Sequence, residues 1–191
     1  MGLIKDVFNS VLGRGSLPEA KTDRLFAIST AVVTMEVDLR LKPSSSAGIC
    51  FKPMEMSKYE EARDEIEGLL KYSTQETGTA FRLEKDEYNF LWVVLQDPDF
   101  EDLVTNIHMI SQTLIEQGFG EQLLCAVYRF EGKGPVYWIY NFKQDGYYPF
   151  VPLKDHKRDN SMEMRLKSLM ERELPIEKNI EKWYPLWGMP F

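Results

Sequence analysis

Histidine and cysteine, which carry much of the nucleophilic and metal chemistry of proteins, are scarce in this sequence, with two of each in 191 residues. They form neither an HExxH nor a CxxC pattern, and no serine stands in a setting typical of a Ser-His-Asp triad. We therefore expect a protein that is not an enzyme and that has no catalytic residue, cofactor or metal site. A deep polar pocket that gathered His108, Cys125 or the acidic residues around Asp97 would favour an enzyme instead.

Long apolar runs and an excess of basic residues are also missing. No stretch of eighteen or more apolar residues predicts a membrane span, and the opening "MGLIKDVFNSVLGRG" lacks the uninterrupted apolar core of a secretory leader. The formal net charge of -7 argues against binding to the phosphate backbone of nucleic acids, which needs a basic face. Cys50 and Cys125 are lone cysteines in apolar runs, a pattern typical of buried, reduced thiols. These features together predict a cytoplasmic protein that binds no nucleic acid.

An amphipathic helix is predicted at the N-terminus. Its apolar side chains recur at helical spacing: Leu3, Ile4, Val7, Phe8, Val11 and Leu12. The stretch "GRGSLPEAKTD" then breaks the pattern with two glycines and a proline. We interpret residues 1–14 as a tethered helix, 15–22 as a linker and 23–191 as a single domain. The helix is a candidate for contact with a membrane or a partner, and folding back onto its own domain fits the spacing equally well.

The domain alternates single helices with pairs of strands. The predicted helices cover 22–39, 57–73, 98–118 and 161–173, with a short one near 176–183. The predicted strands cover 46–53, 79–84, 89–96, 122–130, 136–142 and 147–153. This order favours an α+β fold, with helices packed on a mostly antiparallel sheet.

Acidic residues crowd the stretch "QDPDFED", which contains Asp97, Asp99 and Asp102. A divalent cation site is one interpretation. Helix capping is the stronger one, because carboxylates at a helix N-terminus accept hydrogen bonds from free amides and oppose the macrodipole. We predict Asp97 as the N-cap, with Pro98 at the first helical position.

Aromatic residues crowd the second half of the chain. The alternation in "VYWIYNF" is apolar on both faces, which predicts a central strand covered on both sides. The chain ends "EKWYPLWGMPF", where Pro185 and Pro190 prevent a regular helix or central strand. We expect this tail to cover one side of the sheet, since monomers usually avoid large exposed apolar patches. Part of it would still face outward as a candidate aromatic surface, formed by Trp183, Tyr184, Trp187 and Phe191.

Several long stretches resemble the PspA-associated protein family called PspAB. They include "LFAISTAVVTMEVDL", "AGICFKP", "PVYWIYNFKQDGYYPFVP" and "LPIEKNIEKWYPLWGMPF", and with the intervening "DEYNFLWVVLQDPDFEDLVTNIHMISQTLIEQGFGEQLLCAVYRF" they cover most of the chain from residue 25 onward. The resemblance implies an accessory role beside PspA, a coiled-coil protein that coats and protects stressed membranes. It supplies no catalytic residue.

Our leading hypothesis is a cytoplasmic, non-enzymatic adaptor of the envelope-stress response that binds a PspA-like coiled-coil protein. The N-terminal helix would touch the partner or the inner face of the cell membrane as a peripheral contact. Two alternatives stay open. One is a general chaperone-like binding domain that works as a homodimer through its sheet or a helix, and the other is an uncharacterised enzyme.

Overall fold

The computed structural model describes residue 22, residues 24–52 and residues 55–191. The helix predicted over 1–14 and the linker predicted over 15–22 therefore lie outside the described residues, apart from Thr22. The described residues form four α-helices and a six-stranded antiparallel sheet, so the predicted α+β class is confirmed.

The sheet brings distant parts of the chain side by side. The helices are α1 (Ala27–Val37), α2 (Met56–Thr77), α3 (Phe100–Glu116) and α4 (Asn160–Met170). The strands are β1 (Lys42–Phe51), β2 (Ala80–Lys85), β3 (Leu91–Gln96), β4 (Leu123–Glu131), β5 (Pro135–Asn141) and β6 (Gly146–Phe150). The spatial order is β2-β3-β1-β4-β5-β6, and β7 (Pro152–Leu153) and β8 (Lys157–Arg158) form a small separate hairpin. The first strand in sequence thus lies near the middle of the sheet.

Several elements differ from the prediction at their ends. Strand β1 begins at Lys42 because it pairs with β4 across a register shift that accommodates the segment between Pro43 and Ala47. Helix α2 runs on to Thr77, and Gly78 then takes a φ of 78°, a typical helix end. The helix predicted near 176–183 is only a 3-10 turn, Ile180–Lys182, since the preceding residues Pro175 and Glu177 make backbone hydrogen bonds to Tyr147 of β6 instead of helical ones.

Asp99, and not Asp97, is the N-cap of α3, so that prediction was wrong. The Asp99 carboxylate accepts a hydrogen bond from the Glu101 amide at 2.8 Å. Asp97 lies two residues earlier and is buried. Its carboxylate accepts a hydrogen bond from the Asp99 amide at 2.8 Å and another from the Thr79 hydroxyl at 2.5 Å. The Asn106 amide in turn donates to the Thr79 hydroxyl at 3.1 Å. Asp97 therefore joins the start of β2 to the start of α3.

The sheet is covered on both faces, as the pattern of β5 predicts. Trp138 and Tyr140 of β5 belong to the core cluster between the sheet and the helices. Tyr137 and Ile139 belong to a second cluster between the sheet and the C-terminal tail. Because each strand alternates its side chains, these two layers use alternate residues of the same strands. The fold is thus helices, sheet and tail in three layers.

Candidate partner-binding surface

The C-terminal tail, residues 183–191, packs on the sheet face opposite the helices. Trp183 is only 4% exposed; it stacks on Tyr148 with ring centroids 6.2 Å apart, and its indole nitrogen donates to the Glu177 carbonyl at 2.9 Å. Trp187 is half-buried, with its ring edge-on to Phe150 at 5.0 Å. These contacts place Trp183 inside the protein and leave part of Trp187 at the surface.

The last residues of the tail reach the centre of the sheet. The Phe191 ring is edge-on to Trp92 at 5.9 Å and to Tyr137 at 6.4 Å. A methyl group built on Gly48 of β1 would lie 2.6 Å from the Phe191 ring, so the absence of a side chain there makes room for it. Tyr184 is half-buried, and its carbonyl accepts from the Tyr148 hydroxyl at 2.9 Å. The tail thus seals a second apolar layer.

A buried ion pair fastens the tail. Glu163 of α4 is 1% exposed and accepts from the Val151 amide at 2.8 Å and from the Arg158 Nε at 3.0 Å. Arg158 also donates through Nη1 to the Trp183 carbonyl at 2.5 Å. Burial raises the pKa of Glu163, and the hydrogen bonds from Val151 and Arg158 oppose that rise. Arg158 therefore links α4, the end of the sheet and the tail.

Helix α1 presents an apolar stripe to solvent on the face opposite its core contacts. Ile28, Ala31 and Met35 are fully buried. On the other side, Phe26, Val33 and Val37 are 42%, 61% and 72% exposed. With the exposed Thr30 between them, these positions follow a spacing of four, three and four residues. We call Phe26, Thr30, Val33 and Val37 the α1 seam.

The spacing of the α1 seam is that of the a and d positions of a coiled coil, which meet a partner helix along one line. The other exposed large apolar side chains of the described residues are spread over separate elements: Tyr72, Leu153, Met164, Leu169 and Ile180. Among those elements, α4 carries two, Met164 and Leu169, which lie five residues apart and so do not share a face. Among the helix side chains that the structure describes, the α1 seam is thus the longest aligned stripe of exposed apolar residues.

Both ends of α1 are fixed to the rest of the domain. At the N-terminal end, the Tyr147 hydroxyl donates to the Leu25 carbonyl, and the Phe26 ring lies 4.5 Å from the His108 ring of α3. At the C-terminal end, the Thr34 hydroxyl donates to the Glu173 carboxylate at 2.8 Å. The seam is therefore presented on a helix held in place at each end, which reduces the ordering cost of binding.

The residues that would favour an enzyme do not come together. Cys125 lies on the tail side of the sheet, whereas Asp97 lies between β3 and α3 and His108 lies in the middle of α3. Cys50 faces Cys125 across β1 and β4, both are free thiols, and burial raises the pKa of Cys50. Over residues 22, 24–52 and 55–191, no group of three or more His, Cys, Asp or Glu side chains is placed to hold a metal ion.

The six predicted contact residues of the N-terminal segment lie outside the described residues: Leu3, Ile4, Val7, Phe8, Val11 and Leu12. Sequence reasoning did not single out the α1 seam. The available signal was that residues 25–39 are apolar around the whole helix, which leaves unburied apolar residues whenever only one face packs. No helix in the described part of the chain is long and apolar enough to cross a membrane.

Comparison with known protein families gives a match along nearly the whole chain. The family model PspAB, described as PspA associated protein B, matches residues 2–191. Searches against curated proteins and against solved structures found no significant match.

Proposed function

The chain belongs to the PspAB family, and we propose that it is a non-enzymatic accessory protein of the envelope-stress response that binds a PspA-like coiled-coil protein. The observation that carries this proposal is the α1 seam, together with the association with PspA in the family description. A helix with apolar residues at a and d spacing suits a partner that is itself built from long helices.

The seam alone supports only a modest affinity. Helix α1 has 11 residues, which is a contact of about three turns or roughly 16 Å along the partner. Val33 and Val37 are about two-thirds exposed, so burying the exposed part of each side chain on binding is worth ~1–2 kcal/mol. Contact with a single partner helix would therefore be weak and reversible.

A second contact would strengthen the complex, and the N-terminal segment is suited to it. Its six apolar side chains at helical spacing fit the surface of an anionic membrane or a second site on the partner. One short amphipathic helix also binds weakly by itself, and two weak contacts on one chain reinforce each other through effective concentration. We propose a cytoplasmic protein that is peripheral at the inner face of the membrane when its partner is there.

Co-sedimentation with anionic vesicles tests this proposal. The full-length protein and a version lacking residues 1–14 are each mixed with vesicles, with and without the cognate PspA-like protein. We expect the full-length protein to pellet most strongly when the PspA-like protein is present. Pelleting of the truncated protein only with the PspA-like protein would place recognition on the folded domain, as the α1 seam requires.

The same experiment separates the other outcomes. Loss of pelleting on truncation in the absence of the PspA-like protein makes residues 1–14 a direct membrane contact. If the protein fails to pellet in every mixture and does not co-purify with the PspA-like protein, the adaptor proposal is wrong.

A further inference from the structure

One of the two outer strands of the main sheet is hydrogen-bonded to a later segment of the chain, whereas the other pairs only with its neighbouring strand among the described strands. At the β6 edge, the Tyr147 amide donates to the Pro175 carbonyl at 2.8 Å, and the Glu177 amide donates back to the Tyr147 carbonyl at 2.9 Å. Residues after α4 therefore cover this edge as a short parallel bridge. At the other edge, β2 pairs only with β3 among the described strands. An edge strand that no described strand covers can pair with another chain.

The open side of β2 can be assigned from its hairpin. The Asp86 amide donates to the Phe90 carbonyl at 3.0 Å, and Asp86 and Phe90 lie opposite each other in the register of β2 and β3. Because hydrogen-bonded and non-hydrogen-bonded pairs alternate in an antiparallel ladder, Glu84 and Arg82 also bond toward β3. The backbone groups of Leu83 and Phe81 then point away from β3, toward the open edge.

The charges on β2 are complementary to a second copy of the same strand. If two β2 strands pair antiparallel about Leu83, each Arg82 lies directly opposite the other copy's Glu84. Residues 82 and 84 would form non-hydrogen-bonded pairs, which bring side chains closest together, at Cα separations of about 4.5 Å. Both side chains are 39% exposed; within one chain Arg82 and Glu84 already form an ion pair with each other, and in the paired strands each would also meet the opposite charge of the second copy. Opposite charges at such positions stabilise a strand pair, and like charges destabilise it.

The edge also lacks two of the features by which proteins usually prevent such pairing, although it carries three charged residues, Arg82, Glu84 and Lys85. Strand β2 contains no proline, and its register with β3 is uninterrupted by a bulge. Phe81 and Leu83 are half-buried against the helix-side core, which keeps this strand flat against its own domain. Charged residues on an edge strand can prevent pairing when like charges meet. The order of charges on β2 instead places opposite charges against each other when two copies pair.

We propose that the protein forms a two-fold homodimer through antiparallel pairing of β2 with the β2 strand of a second copy. The main sheet becomes continuous across the two copies, with both helix layers on one side and both tails on the other. This inference does not depend on the identity of the partner. A dimer would present two α1 seams at once and so raise the avidity for a repetitive partner.

Charge exchange tests the dimer by sedimentation velocity across a range of protein concentrations. We expect the wild type to dimerise and Arg82→Glu and Glu84→Arg each to weaken dimerisation at least about tenfold, since each places like charges opposite each other twice. Mixing the two single variants restores complementarity, as does the double variant R82E/E84R. We expect both to dimerise like the wild type. Arg63→Glu is the matched control, because Arg63 on α2 is also 39% exposed, and it should dimerise normally.

Arg82→Glu also removes the hydrogen bond that Arg82 donates to the Pro190 carbonyl, so this variant can lose folding as well as dimerisation. A second measurement therefore uses the wild type alone. Amide hydrogen exchange of wild-type Leu83 should become slower as protein concentration rises, because dimerisation buries that amide. A wild type that stays monomeric at every concentration overturns the proposal. So does a dimer that is unaffected by Glu84→Arg, or a Leu83 amide whose exchange does not depend on concentration.

Discussion

Replacing Trp183 by alanine tests whether the C-terminal tail is part of the folded core. Trp183 is 4% exposed, and the substitution removes its stacking on Tyr148 and its hydrogen bond to the Glu177 carbonyl. Trp→Ala changes in cores cost about 3–5 kcal/mol. We expect a loss at the lower end, about 3 kcal/mol, because the tail lies at the surface and can partly collapse into the space.

Equilibrium unfolding in urea measures this loss as a lower midpoint with an unchanged slope. For a domain of this size a loss of about 3 kcal/mol corresponds to a fall in Tm of roughly 6–12 °C. Ile180→Ala is the control, because Ile180 precedes the tail and is 55% exposed, so its effect should stay within about 0.5 kcal/mol. A Trp183→Ala variant that loses less than about 1 kcal/mol would show that the tail does not seal the sheet.

Two further predictions concern the tail and its fastening. Gly48→Ala should cost about 1–3 kcal/mol because the new methyl group meets the Phe191 ring, and the cost should disappear in the Phe191→Ala background, as a double-mutant cycle would show. Equal costs in both backgrounds would mean that Phe191 does not occupy this position. Because burial raises the pKa of Glu163, its contribution to stability is full below its ordinary pKa of 4.5 and is lost as pH rises through the raised value. The stability of the wild type relative to Glu163→Gln, measured by urea unfolding, should therefore fall as pH rises above 4.5, and a difference that rises with pH would contradict the raised pKa.

The sequence predicts the layers of this fold better than its surfaces. Alternation in residues 136–142 is enough to place Trp138 on one side of the sheet and Tyr137 on the other. The two prolines of the tail likewise predict an extended segment that covers an apolar face. Both inferences depend on local periodicity and on residue type, which are visible in one sequence.

Features that depend on which elements become neighbours could not be predicted. The α1 seam exists because only one face of an apolar helix packs on the sheet, and the periodicity of residues 25–39 does not show which face that is. Asp99 takes the N-cap position predicted for Asp97 because Thr79, eighteen residues before Asp97, donates a hydrogen bond to the Asp97 carboxylate. The edge position of β2 follows from the order of the whole sheet, which no local pattern contains.

The central claim is that the α1 seam binds a PspA-like coiled-coil protein. The most direct measurement is the dissociation constant of the full-length protein for that protein, compared with those of Val33→Lys/Val37→Lys and of Ile180→Lys. The two valines together are worth about 2–4 kcal/mol on burial, so we expect the double variant to bind roughly 30- to 800-fold more weakly. Ile180 is comparably exposed on a different element, and its variant should bind as the wild type does. A Val33→Lys/Val37→Lys protein that remains folded and binds as tightly as the wild type would contradict the account.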